Sequence, residues 1–161
     1  MTEIHSWDRA ELPELIRIDQ AATGLFHTVG IELPVGDPTE VLRNAREILV
    51  TGRPPTGFAA LDEVDGRAHL SELSVHPDHG RRGLGAALLT ASIDWAVAAG
   101  FPAITLTTFR SVPFNAPWYA RNGFVELPES GWGPRLRRIW AAERAAGIAV
   151  VPRMAMIRPL R

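Results

Sequence analysis

The chain has 161 residues, with 17 arginines and no lysine against 18 acidic residues, five histidines and no cysteine, for a formal net charge of −1. That length suits one domain, residues 1–161, with a sizeable core. The near-neutral charge argues against a nucleic-acid binder, and the absence of cysteine excludes a disulfide framework, a thiol nucleophile and a cysteine metal site. No apolar run reaches membrane-spanning length, and the opening MTEIHSWDRAEL is polar and acidic without an apolar signal core. The expected location is therefore the cytoplasm, with no membrane partner.

Residues 8–22 place Leu12, Leu15, Ile16 and Ile18 behind the capping residue Asp8 and predict a first helix. Residues 23–36, with three glycines and Pro34, predict a loop. A second helix is expected over 37–49, opened by Asp37-Pro38, with Val41, Leu42, Ala45 and Ile48 on one face. Two strands, 56–63 and 67–75, flank Asp65-Gly66, a hairpin turn signal. An Ala/Leu-rich helix follows over 84–99, ended by Gly100, then a Thr- and Ile-rich strand over 103–109. A short helix from Asn115 to Gly123, the start of a strand at 124–127, a helix over 132–146 and an extended segment over 148–160 complete the chain. This order implies a mixed α/β sheet.

The stretch VHPDHGRRGLGAALL, residues 75–89, joins a strand to a helix N-terminus through a basic glycine loop. Glycines at 80, 83 and 85 let the backbone approach a ligand closely. The first amides of a helix have no intrahelical partner and lie at the positive end of its dipole, which makes an anion site. Arg81 and Arg82 add charge that can pair with phosphate oxygens. The loop is not the dinucleotide fingerprint, whose glycines are spaced differently, nor a P-loop, which needs a lysine that this chain lacks.

Two motifs carry a family resemblance. The G-x-x-G-x-G spacing of Gly80, Gly83 and Gly85, after a strand ending Val-x-Pro, resembles the acyl-CoA loop of the GNAT N-acetyltransferase superfamily. The chain departs from that pattern in putting Gly80 where Gln or Arg is usual and its arginines at 81 and 82. Downstream, NAPWYARNGF (115–124) resembles the second signature, in which an Asn opens a short helix and a Tyr lies four residues before Gly-Phe. The likeness is good over 57–127 and general elsewhere.

The resemblance implies a mixed, mostly antiparallel central sheet with helices on both faces, and acetyl transfer from acetyl-CoA to a primary amine. It implies that Gly80, Arg81, Arg82, Gly83, Leu84, Gly85 and Ala86 hold the pyrophosphate, with Asn115 and Tyr119 also against the CoA. A backbone amide of Leu73, Ser74 or Val75, helped by a bulge, would receive the developing oxyanion. Tyr119, the single tyrosine, would be the proton donor to the leaving thiolate; its alternative is a hydroxyl that only binds CoA. Glu72, on the strand entering the loop, is the candidate general base, and a surface or arginine-paired carboxylate is the alternative. His69 lies three residues earlier and on the opposite strand face unless a bulge intervenes. His76 and His79 read as loop histidines beside phosphate, and no metal is expected.

The acceptor pocket is expected from 23–36, with Phe26, His27 and Glu32, and from the C-terminal insert. Arg135, Arg137 and Arg138 there could hold an acceptor anion, but read better as a solvated face whose long stems cover apolar surface. Trp7, Trp95, Trp118, Trp132 and Trp140 are expected in core or pocket walls. The implied partner is a small-molecule amine, with no nucleic acid. The alternatives are a peptide or protein amine, or a non-catalytic acyl-CoA sensor. A homodimer through the exposed strand at 150–160 is also carried as an expectation.

Overall fold

The computed structural model describes residues 2–34 and 36–160. Its strands are β1 (Ile4–Ser6), β2 (Glu47–Thr51), β3 (Gly57–Val64), β4 (Arg67–Val75), β5 (Ala103–Phe109), β6 (Val125–Glu126) and β7 (Arg153–Pro159). Its helices are α1 (Leu12–Thr23), α2 (Thr39–Asn44), α3 (Leu84–Ala98), α4 (Ala116–Arg121) and α5 (Pro134–Ala145). The strands form one sheet in the order β1-β2-β3-β4-β5-β7-β6. Every pair is antiparallel except β4 and β5, which run parallel.

Alternation along the strands sorts their side chains between two helical layers. Ala59, Leu61, Leu70, Ile104 and Leu106 pack with Leu88 and Leu89 of α3 and Ala116 of α4. On the other face, Phe58, Ala60, Ile48 and Val50 meet Leu15 and Ile18 of α1 and Leu42 of α2. Val64 and Ala155 meet Leu136 of α5 on that same face. This is the mostly antiparallel sheet with helices on both sides that was expected. No helix among the described residues is long and apolar enough to cross a membrane.

The N-terminal third differs from its sequence reading. Asp8 does cap the first helical segment: its carboxylate accepts from the Ala10 amide (2.8 Å) while Glu11 accepts from the Asp8 amide (2.9 Å). The second helix, however, covers only Thr39–Asn44, and Glu47–Thr51 forms a strand. Ile48 continues the helical spacing of Val41, Leu42 and Ala45, but pairing between β1 and β3 takes it into the sheet, where Ile48 and Val50 are both fully buried. A short periodic run fits either element, and tertiary pairing decides. The C-terminal strand also differs: β7 lies inside the sheet between β5 and β6, so it is not a free edge for a second copy.

The β3–β4 hairpin turns on Asp65 (φ 55°) and Gly66 (φ 79°), both left-handed, as the tight two-residue hairpin requires. Asp65 has a second task. Its carboxylate accepts the amides of Arg135 (3.0 Å) and Leu136 (2.9 Å), satisfying the start of α5 from across the sheet. Gly133 packs against that side chain with no room for a Cβ. Asp65→Ala is expected to destabilise the protein by about 1–2 kcal/mol in urea unfolding, as loss of an N-cap does, and Asp65→Asn by less. A loss under about 0.3 kcal/mol for the alanine variant would show that the turn does not anchor α5.

Candidate active site

The parallel ladder between β4 and β5 is short. Ala68 pairs with Ile104 and His69 with Thr105, and beyond these the strands part. His69 is buried, and its Nδ1 lies 2.8 Å from the Thr105 hydroxyl, which also reaches the Ala68 carbonyl (3.3 Å). Burial, with Arg135 nearby, pulls the His69 imidazole down to about 4, so the ring is a neutral clasp at the point of parting.

Immediately beyond lies a β-bulge. Ala60 of β3 pairs with Glu72 while Leu61 pairs with Leu70, leaving Ser71 as the extra residue. The bulge was expected in the 73–75 segment; that segment instead keeps regular register with Ala59, Phe58 and Gly57. The extra residue resets the alternation. Leu70 and Leu73, three apart, both face the α3 side. Glu72 thereby turns to the α1 side, the same face as His69 rather than the opposite one.

A cavity of about 470 Å³ fills the gap between the parted strands and passes through the sheet. On the α3 side it is lined by Val75, Gly85, Asn115, Trp118 and Tyr119, and on the α1 side by Asp19, Phe26, Thr107, Glu143 and Arg153. Leu73 and Ser74 also line it, along the β4 edge that has lost its strand neighbour. Glu72 lines it from the α1 side of β4. Burial, followed by the charge and hydrogen bond of Asp19 and then the charge of Glu143, pushes its carboxyl well above the usual range. Asp19 is raised as well, chiefly by its own burial. Tyr119 packs against Trp118 (5.1 Å) and Phe124 (5.6 Å), and its hydroxyl has no hydrogen-bond partner among the described residues. Burial and then the Glu72 charge push the phenol above its usual value, so it keeps its proton.

The glycine loop leads to the N-terminus of α3. Gly83 caps the helix in the left-handed region (φ 76°), no acid lies in the first turn, and the opening amides have no intrahelical partner. The first turn therefore suits an anion. Gly80 is extended (φ −66°), whereas Arg81 takes φ 62°, so glycine stands one residue before the left-handed position. An arginine there carries a strain of about 1–2 kcal/mol. Gly85 reaches the cavity, while Gly80, Arg81, Arg82, Gly83, Leu84 and Ala86 lie outside its lining. His76 accepts the Asp78 amide (3.1 Å) and His79 lies 3.3 Å from Arg82, so both histidines brace the loop. Asn115 opens α4 without a side-chain cap; its Nδ2 donates instead to the Phe114 carbonyl (3.0 Å).

Of the expected acceptor residues, Phe26 lines the cavity, whereas His27 and Glu32 pair with each other (2.9 Å) on the surface. Arg135, Arg137 and Arg138 lie outside it; Arg137 pairs with Glu129 (3.2 Å) over the Trp132 ring. The insert contributes other residues that the sequence reading passed over. Arg153 lies on the Phe109 ring (4.6 Å to its centroid) and donates to the Thr107 hydroxyl (3.2 Å) and to Glu143 (3.4 Å). Thr107 in turn donates to the Glu143 carboxylate (2.9 Å). Asp19 was passed over as well.

The sequence model of the Acetyltransferase (GNAT) family matches residues 5–124. The chain belongs to the GNAT acetyltransferase family. Its fold is similar to that of a GNAT-family acetyltransferase of Staphylococcus aureus, at 16% identity over 100% of both chains with a TM-score of 0.75. The ribosomal-protein-S18-alanine N-acetyltransferase of Escherichia coli is similar at 22% identity and TM-score 0.69, over 99% of this chain and 94% of that one. The PaiA N-acetyltransferase of Thermoplasma acidophilum, solved with coenzyme A, matches at 17% identity and TM-score 0.69 over 99% of each chain.

The raised proton affinity of Glu72 has a signature independent of turnover. A carboxyl that holds its proton more tightly when folded costs stability as pH rises above its unfolded value, near 4.3, and the penalty is complete above its folded value. Glu72→Gln removes that penalty. The variant is expected to melt higher than the parent at pH 8, with the gap closing near pH 4. A gap independent of pH would mean that Glu72 ionises normally.

Proposed function

We propose that this protein is an acetyl-CoA-dependent N-acetyltransferase that moves the acetyl group to a primary amine of a small molecule by direct attack, the whole chain acting as one domain. The observation that carries the reading is the cavity crossing the sheet where β4 and β5 part, with Glu72 on one side and Tyr119 on the other. The free amides at the α3 N-terminus support a pyrophosphate site on the Tyr119 side, with Arg81 and Arg82 beside it. The coenzyme A found in the PaiA structure agrees with this use of the fold.

In this reading the acceptor arrives on the α1 side as an ammonium ion. Glu72 takes its proton, and its raised affinity makes it a stronger base than an ordinary carboxylate. The free amine forms the C–N bond at the thioester carbonyl. An N–H of Leu73, Ser74 or Val75, on the β4 edge without a strand neighbour, receives the charge on the carbonyl oxygen. As the C–S bond breaks, the Tyr119 hydroxyl donates a hydrogen bond to the sulfur. A phenol pushed above its usual value near 10 cannot pass its proton downhill to a thiolate whose acid ionises near 8.5. Tyr119 therefore stabilises the leaving group as a donor, and the second proton, which the nitrogen sheds on becoming an amide, passes through solvent to the thiolate.

Thiol release from acetyl-CoA, followed across amino acids, polyamines, aminoglycosides, arylamines and short peptides, tests the reading. Turnover with at least one small amine is expected, and Tyr119→Phe should lower it roughly 100-fold or more, in the range for loss of a positioned donor, with acetyl-CoA affinity kept. Bound acetyl-CoA with no turnover of any amine would point to a sensor, and turnover confined to peptides would move the acceptor class.

A further inference from the structure

Resting on the acetyltransferase reading, we infer that the acceptor is an aromatic or similarly apolar primary amine that carries no carboxylate beside its nitrogen. Two features of the α1 side of the cavity lead to this. The first is charge. Asp19, Glu72 and Glu143 line the cavity against one cation among its described lining residues, Arg153. That cation is already engaged: its side chain is 9% exposed, Nη2 serves both Glu143 and Thr107, and the guanidinium lies on Phe109. Its Nε is buried without a hydrogen-bond partner. With Arg153 answered by Glu143, the charge left for an acceptor is the Asp19–Glu72 pair, which suits one ammonium. A carboxylate one carbon away would stand within a few ångströms of the same pair, where like charges repel strongly.

The second feature is shape and polarity. Phe26 packs on Phe109 (5.3 Å) and on Phe114 (5.2 Å), and with Leu25 and Leu33 these rings line the same cavity as the acids. Phe114 is 38% exposed and Leu25 36%, large apolar side chains left open at the cavity. Such a wall offers ring stacking to a planar body whose amine reaches inward to Asp19 and Glu72. A short polyamine would leave this surface wet and bring a second positive charge to it.

Matched pairs that differ only in the carboxylate test the inference: 2-phenylethylamine against phenylalanine, and tryptamine against tryptophan. Turnover is read by thiol release, and binding to the CoA-loaded protein by calorimetry. The amine of each pair is expected to have a kcat/KM higher on the order of 100-fold, the penalty for juxtaposed like charges. Glu143→Gln, which frees Arg153 to receive an anion, should narrow that ratio at least about tenfold. Equal or better use of the amino acid overturns the inference while leaving the acetyltransferase reading intact, as does turnover of polyamines with no binding of 2-phenylethylamine. Failure to bind acetyl-CoA at all would instead remove the reading beneath it.

Discussion

The parting of β4 from β5 after the His69–Thr105 pair is the feature on which the rest of the structure depends. Parallel strands would ordinarily bond along their whole overlap, and here the ladder stops after two positions. A backbone edge that loses its partner inside a protein must find other hydrogen bonds or face water. The bulge at Ser71 works with the parting. It turns Glu72 toward α1 while Leu70 and Leu73 stay in the α3 core, so one extra residue gives the strand both a packed face and a carboxyl in the gap. Without it, Leu70 and Glu72, two residues apart, would face the same side of the sheet.

The gap gathers groups from distant parts of the chain: Asp19 from α1, Glu72 from β4, Tyr119 from α4, Glu143 from α5 and Arg153 from β7. Their mutual effects are those of a desolvated cluster. Carboxyls rise chiefly through burial, and the Arg153 guanidinium is held below its ordinary value for the same reason. Such a cluster costs folding energy, and its presence beside a cavity rather than in a packed core is the pattern of stability given up for chemistry. The two sides of the sheet thereby differ in kind, with helix-end amides and arginines on one and acids with aromatic rings on the other.

What the sequence made legible follows the range of the interactions involved. The glycine loop, the Asp65-Gly66 hairpin, the cap at Asp8 and the short α4 helix are local devices, and each stands where its residues indicated, although Asn115 opens α4 without a side-chain cap. β2 was not legible, because Ile48 continues the helical spacing of Val41, Leu42 and Ala45 and only the pairing with β1 and β3 makes it a strand; β1, three residues long, is too short to show a period. The site was half legible. Glu72 and Tyr119 sit beside motifs, while Asp19, Glu143 and Arg153 come from elements that carry none. A signal for two of these was present in the alternation. Arg153 precedes Met154 and Met156, which face the α3 core, so it falls with Ala155 on the opposite buried face. Asp19 is one turn beyond fully buried Leu15 on α1. A charge on a core-facing position needs a partner or a task.

The decisive experiment is a crystal structure of the protein with coenzyme A. The pyrophosphate is expected on the amides of the α3 first turn, around Gly83 and Gly85. The thiol is expected in the gap between β4 and β5, with the Tyr119 hydroxyl within hydrogen-bond distance of the sulfur and Glu72 across the sheet from it. Coenzyme A bound away from the α3 N-terminus, or a gap between β4 and β5 that stays empty at saturating ligand, would contradict it.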